Sequence, residues 1–139
     1  MSVRKESSNW LEEARMDLRR AENSLKNHDY SLCCFMAQQS VEKALKAFHI
    51  YLRKVPPRSH DLTSLYSIVS KKLKLGWELT QALPELSQYY VTARYPNAGL
   101  GTPSKSFSPS QAERAYIFAK RAIKIIEKRL ARAPRSSVK

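Results

Sequence analysis

Glycine is scarce in this chain, three in 139 residues, and so are the tight turns that a sheet protein would need. Alanine, leucine, lysine and arginine dominate instead, a composition that favours long helices. There is no run of about 18 apolar residues, so no membrane span is expected. The N-terminus MSVRKESSNW lacks the apolar stretch of a signal peptide, and a cytoplasmic protein is expected. Only two cysteines occur, Cys33 and Cys34. Being adjacent, they cannot form an ordinary bridge with each other, and they read as buried thiols in a reducing compartment. Glycine-rich phosphate loops, Cys-x-x-Cys pairs and a serine or cysteine with a placed base are all missing, which excludes the enzyme classes built on them. No His, Cys or carboxylate set has metal-ligand spacing, so neither metal nor cofactor is expected.

Acidic residues are also in short supply, 12 against 25 Lys and Arg, leaving a net charge of +13. Residues 111–139 alone contribute +7 of it. Such a surface attracts polyanions through counterion release at phosphates, or serves solubility alone.

What the chain has in quantity is helical periodicity. Trp10, Ala14, Leu18, Ala21 and Leu25 form one stripe and predict a first helix over Ser8–Lys26. Asp29 is the expected cap of a second, central helix whose apolar positions run from Leu32 to Leu52 and which Pro56 and Pro57 are expected to stop. Ser59 is the expected cap of a third helix, carrying Leu62, Leu65, Tyr66, Val69 and Leu73 and ending at Gly76. Leu79, Leu83, Leu86, Tyr90 and Ala93 mark a fourth, with Pro84 in its first turn or kinking it. Residues 95–108 show no periodicity and form one long loop, the kind of segment that often carries function. Ser108 and Ser110 then offer capping boxes for a last helix that runs through Leu130. The expectation is one all-α domain over 8–130, an up-and-down bundle of four to five helices. It has a short extension at 1–7 and a basic, disordered tail at 131–139.

Five strings give a more specific reading. WLEEARMDLRRAENSL, FMAQQSVEKALKAF, the SHDL at Ser59–Leu62, YYVTARYPNA and AERAYIFAKRAIKII occur in the order, spacing and wording of the HEPN domain (higher eukaryotes and prokaryotes nucleotide-binding domain), which nearly the whole chain resembles. The resemblance implies a helical bundle that pairs into a homodimer and a function tied to nucleotides or RNA. It also implies a companion protein of the minimal nucleotidyltransferase type, as in toxin-antitoxin pairs.

Catalytic members of that family are metal-independent ribonucleases that use an Arg, a spacer of four to six residues and a His. The His moves a proton near neutral pH, and the Arg stabilises charge on phosphorus. Here Arg94 stands at the end of the fourth helix, but positions 99–101, where the His would fall, read Gly-Leu-Gly. A spacing match does exist between Arg53 and His60, at the junction of the second and third helices. His60 has a structural reading too, as part of the Ser59-His60-Asp61 start of the third helix. Arg94 can equally serve its helix C-terminus and stack on Tyr89, Tyr90 or Tyr95, or grip a phosphate with two parallel hydrogen bonds. Tyr95 is then a stacking platform for a base, and Lys43 and Lys46 of the second helix are further candidate contacts to nucleotide or RNA. His28 and His49 read as cap or packing residues.

Three functions follow as expectations. The first is a non-catalytic or weakly catalytic nucleotide- or RNA-binding protein with a nucleotidyltransferase companion. The second is a metal-independent ribonuclease toxin using Arg94 or Arg53 with His60. The third is a helical interaction module without ligand. The second helix carries Cys33, Cys34, Ala37, Ile50 and Tyr51 outside its main stripe, a surplus that points to a homodimer face.

Overall fold

A computed structural model describes residues 2–96 and 101–132. Among them there is no strand. The helices are α1 (Val3–Lys26), α2 (Tyr30–Tyr51), α3 (Leu62–Val69), α4 (Trp77–Thr92), the single turn α5 (Pro103–Ser106) and α6 (Pro109–Ala131). No helix among the described residues is long and apolar enough to cross a membrane.

Helix α2 is the axis of the bundle, about 33 Å long, and it touches every other helix. Most of its apolar residues are therefore buried, Leu32 near its start being the exposed exception. Cys33, Cys34 and Ala37 are wholly inaccessible, and Ile50 and Tyr51 nearly so, covered by the chain's own helices. The surplus of apolar residues on α2 is thus consumed inside one subunit, and the homodimer loses the physical argument that the sequence offered for it. Cysteine chemistry follows the same burial: desolvation pushes the Cys33 thiol up to about 11 and the Cys34 thiol up to about 12, so both stay protonated.

Pairwise contacts fix the directions. Ser7 bonds to the Ala47 carbonyl, and Trp10 lies by Lys46, so α1 runs antiparallel to α2. Cys33 reaches Ala112 and Phe48 reaches Arg129, so α6 runs parallel to it. His60 meets Glu42 and Leu65 meets His49, so α3 is parallel to α2 as well. Helix α4 returns antiparallel, placing Ser87 at Leu62 and Tyr90 at His60. The C-termini of α2, α3 and α6 consequently gather at one end of the bundle.

The helix ends differ from expectation in instructive ways. Helix α1 begins at Val3, a turn earlier than the predicted Ser8, because Ser2 caps it through Lys5 N–H. Helix α3 is capped by Asp61, whose carboxylate accepts from Thr63 N–H, and not by Ser59, which turns the chain by accepting from Asp61 N–H. Gly76, at φ +90°, opens α4 instead of closing α3. Pro84 sits inside α4. The 95–108 segment contains the turn α5, from which Phe107 packs edge-on against Tyr89. Of the tail expected at 131–139, Ala131 is the last residue of α6 and Arg132 its C-cap, while 133–139 lie outside the described residues, as do 97–100.

Helices α1 and α2 both stop without glycine. His28 (φ 60°) and Arg53 (φ 63°) take the left-handed conformation. At each, the residue's own N–H and the one after it return to the last turn: His28 and Asp29 to Leu25 and Ser24, Arg53 and Lys54 to Ile50 and His49. The prolines at 56 and 57 begin only after α2 has already closed.

Candidate functional site

Two residues that the sequence singled out separately, His60 and Arg94, meet on one ring. The His60 imidazole stacks on Tyr90 with centroids 3.6 Å apart and planes 11° from parallel. The Arg94 guanidinium lies 4.4 Å from the centroid of the same Tyr90 ring. Phe35 and Tyr95 surround that guanidinium at 4.9 and 4.7 Å, and its Nε donates to the Tyr90 carbonyl (2.9 Å). Its terminal nitrogens carry no hydrogen bond among the described residues. The expected cation–aromatic stacking and a free fork for a phosphate therefore coexist in one side chain.

Tyr90 is available because α4 buries Tyr89 instead. A helical period of 3.6 lets a stripe through Leu79, Leu83 and Leu86 continue at either 89 or 90. Tyr89 is the one enclosed, its hydroxyl accepting from Gln111 and its pKa pushed up to about 12 by burial. Tyr90 is left half-buried at the rim of an open groove of about 480 Å³, lined also by His60, Asp61, Thr63 and Ser87.

Beneath His60 lies a polar network that the sequence reading did not identify. Glu42 is nearly enclosed, its side chain 6% exposed. Its Oε1 accepts from His60 Nδ1–H (2.9 Å) and from Gln38 Nε2 (3.1 Å), and its Oε2 accepts from Lys46 Nζ (3.0 Å). Gln38 also donates to the His60 carbonyl (2.9 Å). A carboxylate at Nδ1 holds the proton on that nitrogen and orients the ring, leaving Nε2 as the nitrogen turned away from Glu42. The side chain of His60 is 45% exposed, and Nε2 has no partner among the described residues. The signal for this network was present as Gln38, Glu42 and Lys46, each four apart on one helix face.

The candidate lysines are already neutralised. Lys46 is held by Glu42, with its ammonium 5.9 Å from the Trp10 ring centroid. Lys43 lies 2.6 Å from Oδ2 of the buried Asp17, an ion pair poorly angled for a hydrogen bond, while Arg20 bonds Oδ1. Both charges serve the α1–α2 seam. Arg53 is far from His60 despite the sequence spacing: α2 carries it about 16 Å beyond Glu42, by the rise of eleven residues. It lines a different cleft, with Tyr51, Leu52, Lys72 and Arg129. His49 is enclosed, donating from Nε2 to the Leu65 carbonyl (2.7 Å), and its pKa is lowered chiefly by burial. Among the described residues no three His, Cys, Asp or Glu side chains converge to hold a metal.

Comparison with known proteins agrees with this architecture. The solved structure of TT1696 from Thermus thermophilus superposes with a TM-score of 0.82 and 32% identity, covering 88% of this chain and 97% of that one. ST0689, described as an archaeal HEPN homologue, matches in fold with a TM-score of 0.71 at 24% identity, covering 88% of this chain and 95% of that one. A curated protein of Methanocaldococcus jannaschii, named "Putative toxin MJ1304", is 27% identical over 128 residues, 85% of this chain and 84% of the relative. The HEPN domain model matches residues 7–129. With that match spanning nearly all of a bundle built as described, the chain belongs to the HEPN domain family.

Proposed function

We propose that the protein is a toxin-like HEPN protein that binds RNA or a nucleotide at the Tyr90 ledge and works beside a minimal nucleotidyltransferase-type companion. The observation that carries this reading is the meeting of His60 and Arg94 on Tyr90, which sets a guanidinium fork and an imidazole against one ring, with His60 and Tyr90 also lining an open groove. Arg94 grips a phosphate. Since His60 already covers part of Tyr90, the base stacks on Tyr95, which is half exposed. The toxin-named relative supports the same setting.

Titration of a fluorescent single-stranded RNA and of ATP at low salt tests it. Arg94→Ala is expected to weaken binding by about 1–3 kcal/mol, as for a charge-assisted contact, and Tyr95→Ala by a comparable stacking loss of about 1–3 kcal/mol. Wild type binding neither ligand would sink the proposal.

A second reading, metal-independent RNA cleavage, is favoured by one bond, that between Glu42 and His60 Nδ1. A carboxylate that orients an imidazole and leaves Nε2 free is the arrangement a general base needs. In it His60 Nε2 takes the proton of a ribose 2′-hydroxyl while Arg94 meets the charge on the phosphate. Cleavage assayed in EDTA should then vanish in His60→Ala and fall in Glu42→Gln; a rate equal in His60→Ala and wild type removes this reading.

A further inference from the structure

At the end of the bundle where α2, α3 and α6 finish, the electrostatics invert. Segment 52–76 carries six cations and a single carboxylate, Asp61, which is bound to the start of α3. Three cations converge on one cleft of about 270 Å³: Arg53 after α2, Lys72 after α3 and Arg129 in the last turn of α6, beside Tyr51 and Leu52. No carboxylate lines it. Glu6 borders an adjoining groove with Arg53 and Lys54 but forms no ion pair with either.

Cations at helix C-termini ordinarily answer the partial negative charge of the last carbonyls. Arg129 does so in part, donating from Nε to the Lys72 carbonyl (3.1 Å) with its guanidinium over Phe48 and Tyr51. Arg53 and Lys72 do not. The final carbonyls of α2 already receive the N–H groups of Arg53 and Lys54, and the side chains of Arg53 and Lys72 are exposed without a partner among the described residues. Arg53 also occupies φ 63°, where glycine would be the unstrained choice. A side chain kept at a strained position, with nothing in the fold to bind, points outward.

We propose that Arg53, Lys72 and Arg129 form a phosphate-binding subsite, a second anchor for the RNA backbone about 16 Å along α2 from the Tyr90 ledge. This rests on the RNA-binding reading above and extends it from one contact to a path. Three cations without a counter-charge match a phosphodiester, which can take the Arg53 fork and the Lys72 ammonium together.

The test is the salt dependence of single-stranded RNA binding, because each phosphate neutralised contributes about 0.7 to the slope of log K against log salt. The Arg53→Gln/Lys72→Gln double variant, which spares the partly packed Arg129, should lose about 0.7 from the wild-type slope, the share of the one phosphate that these two cations hold together. A charge-matched control, Arg19→Gln/Lys26→Gln on the exposed face of α1, should keep it. Arg53→Gly should weaken binding while its melting temperature stays level or rises, a combination that a purely structural Arg53 would not give. An unchanged slope in the double variant, or an equal loss in the control, overturns the subsite while leaving RNA binding standing. Failure of wild type to bind RNA at all overturns both.

Discussion

The middle of α2 and its C-terminal end hold charge in opposite ways. Around Glu42 every charged group has a partner within the fold: Lys46 and His60 on the carboxylate, with Gln38 filling the remaining acceptor position. Around Tyr51 the cations Arg53 and Lys72 have none. Paired charge near an enclosed carboxylate sets geometry, here the tilt and tautomer of one imidazole. Unpaired charge on the surface sets affinity for what comes from outside. Lys43 and Lys46 look like ligand contacts in the sequence because both kinds of charge are written with the same letters.

This contrast is sharpened first by Glu42→Ala. It leaves the Lys46 ammonium nearly enclosed without a counter-charge, and urea unfolding should show a loss of about 3–5 kcal/mol. Arg53→Gln at the C-terminal end should change the same stability by less than about 0.5 kcal/mol, as for an exposed side chain. Equal losses at Glu42 and Arg53 would dissolve the distinction.

A smaller effect lies between them, at His49. Its folded pKa is depressed below 6.5, so the unfolded chain binds the proton more readily than the native one. Stability is fully present above about 6.5 and drains as pH falls toward the lowered folded value, at no more than about 1.4 kcal/mol per pH unit. Melting scans of wild type and His49→Gln from pH 7 to 5 should differ in slope; parallel curves would show that another group governs the acid limb.

Smallest is the gain expected at His28, left-handed like Arg53 but remote from the basic cleft. His28→Gly should raise stability by about 1 kcal/mol in urea titration, by relieving the backbone. With Arg53→Gly behaving alike in stability and only Arg53→Gly affecting RNA, the two ends would be separated by function alone.

Much of the fold was legible in the sequence because apolar periodicity is a direct imprint of burial. The five long-helix assignments, the Asp29 cap and the Ser108-Pro109 start all appear in the structure. Boundaries were less readable where a single residue decides between two elements: Gly76 suits a helix end and a helix start, and only packing chose the latter. The candidate site was legible by halves. His60 and Arg94 stood out as residue types, but their meeting depends on α3 running parallel to α2 and α4 returning against both, a long-range matter that no spacing encodes. Glu42 looked like an ordinary charged position between apolar neighbours, and its burial emerges only once α3 and α4 close over it. The sequence argument for a homodimer loses its force for a related reason: Cys33, Cys34, Ala37, Ile50 and Tyr51 of the central helix are covered by the chain's own helices without a second copy.

The Lys46 ammonium near the Trp10 ring gives the molecule an optical handle. The chain has two tryptophans, and the other, Trp77, is 78% exposed at the start of α4. Replacing Trp77 with Phe would leave an emission signal from the one indole tied, through Lys46 and Glu42, to the imidazole of His60. Occupation of the groove could then be followed as a change in brightness or colour of the protein itself, with no label placed near the ligand.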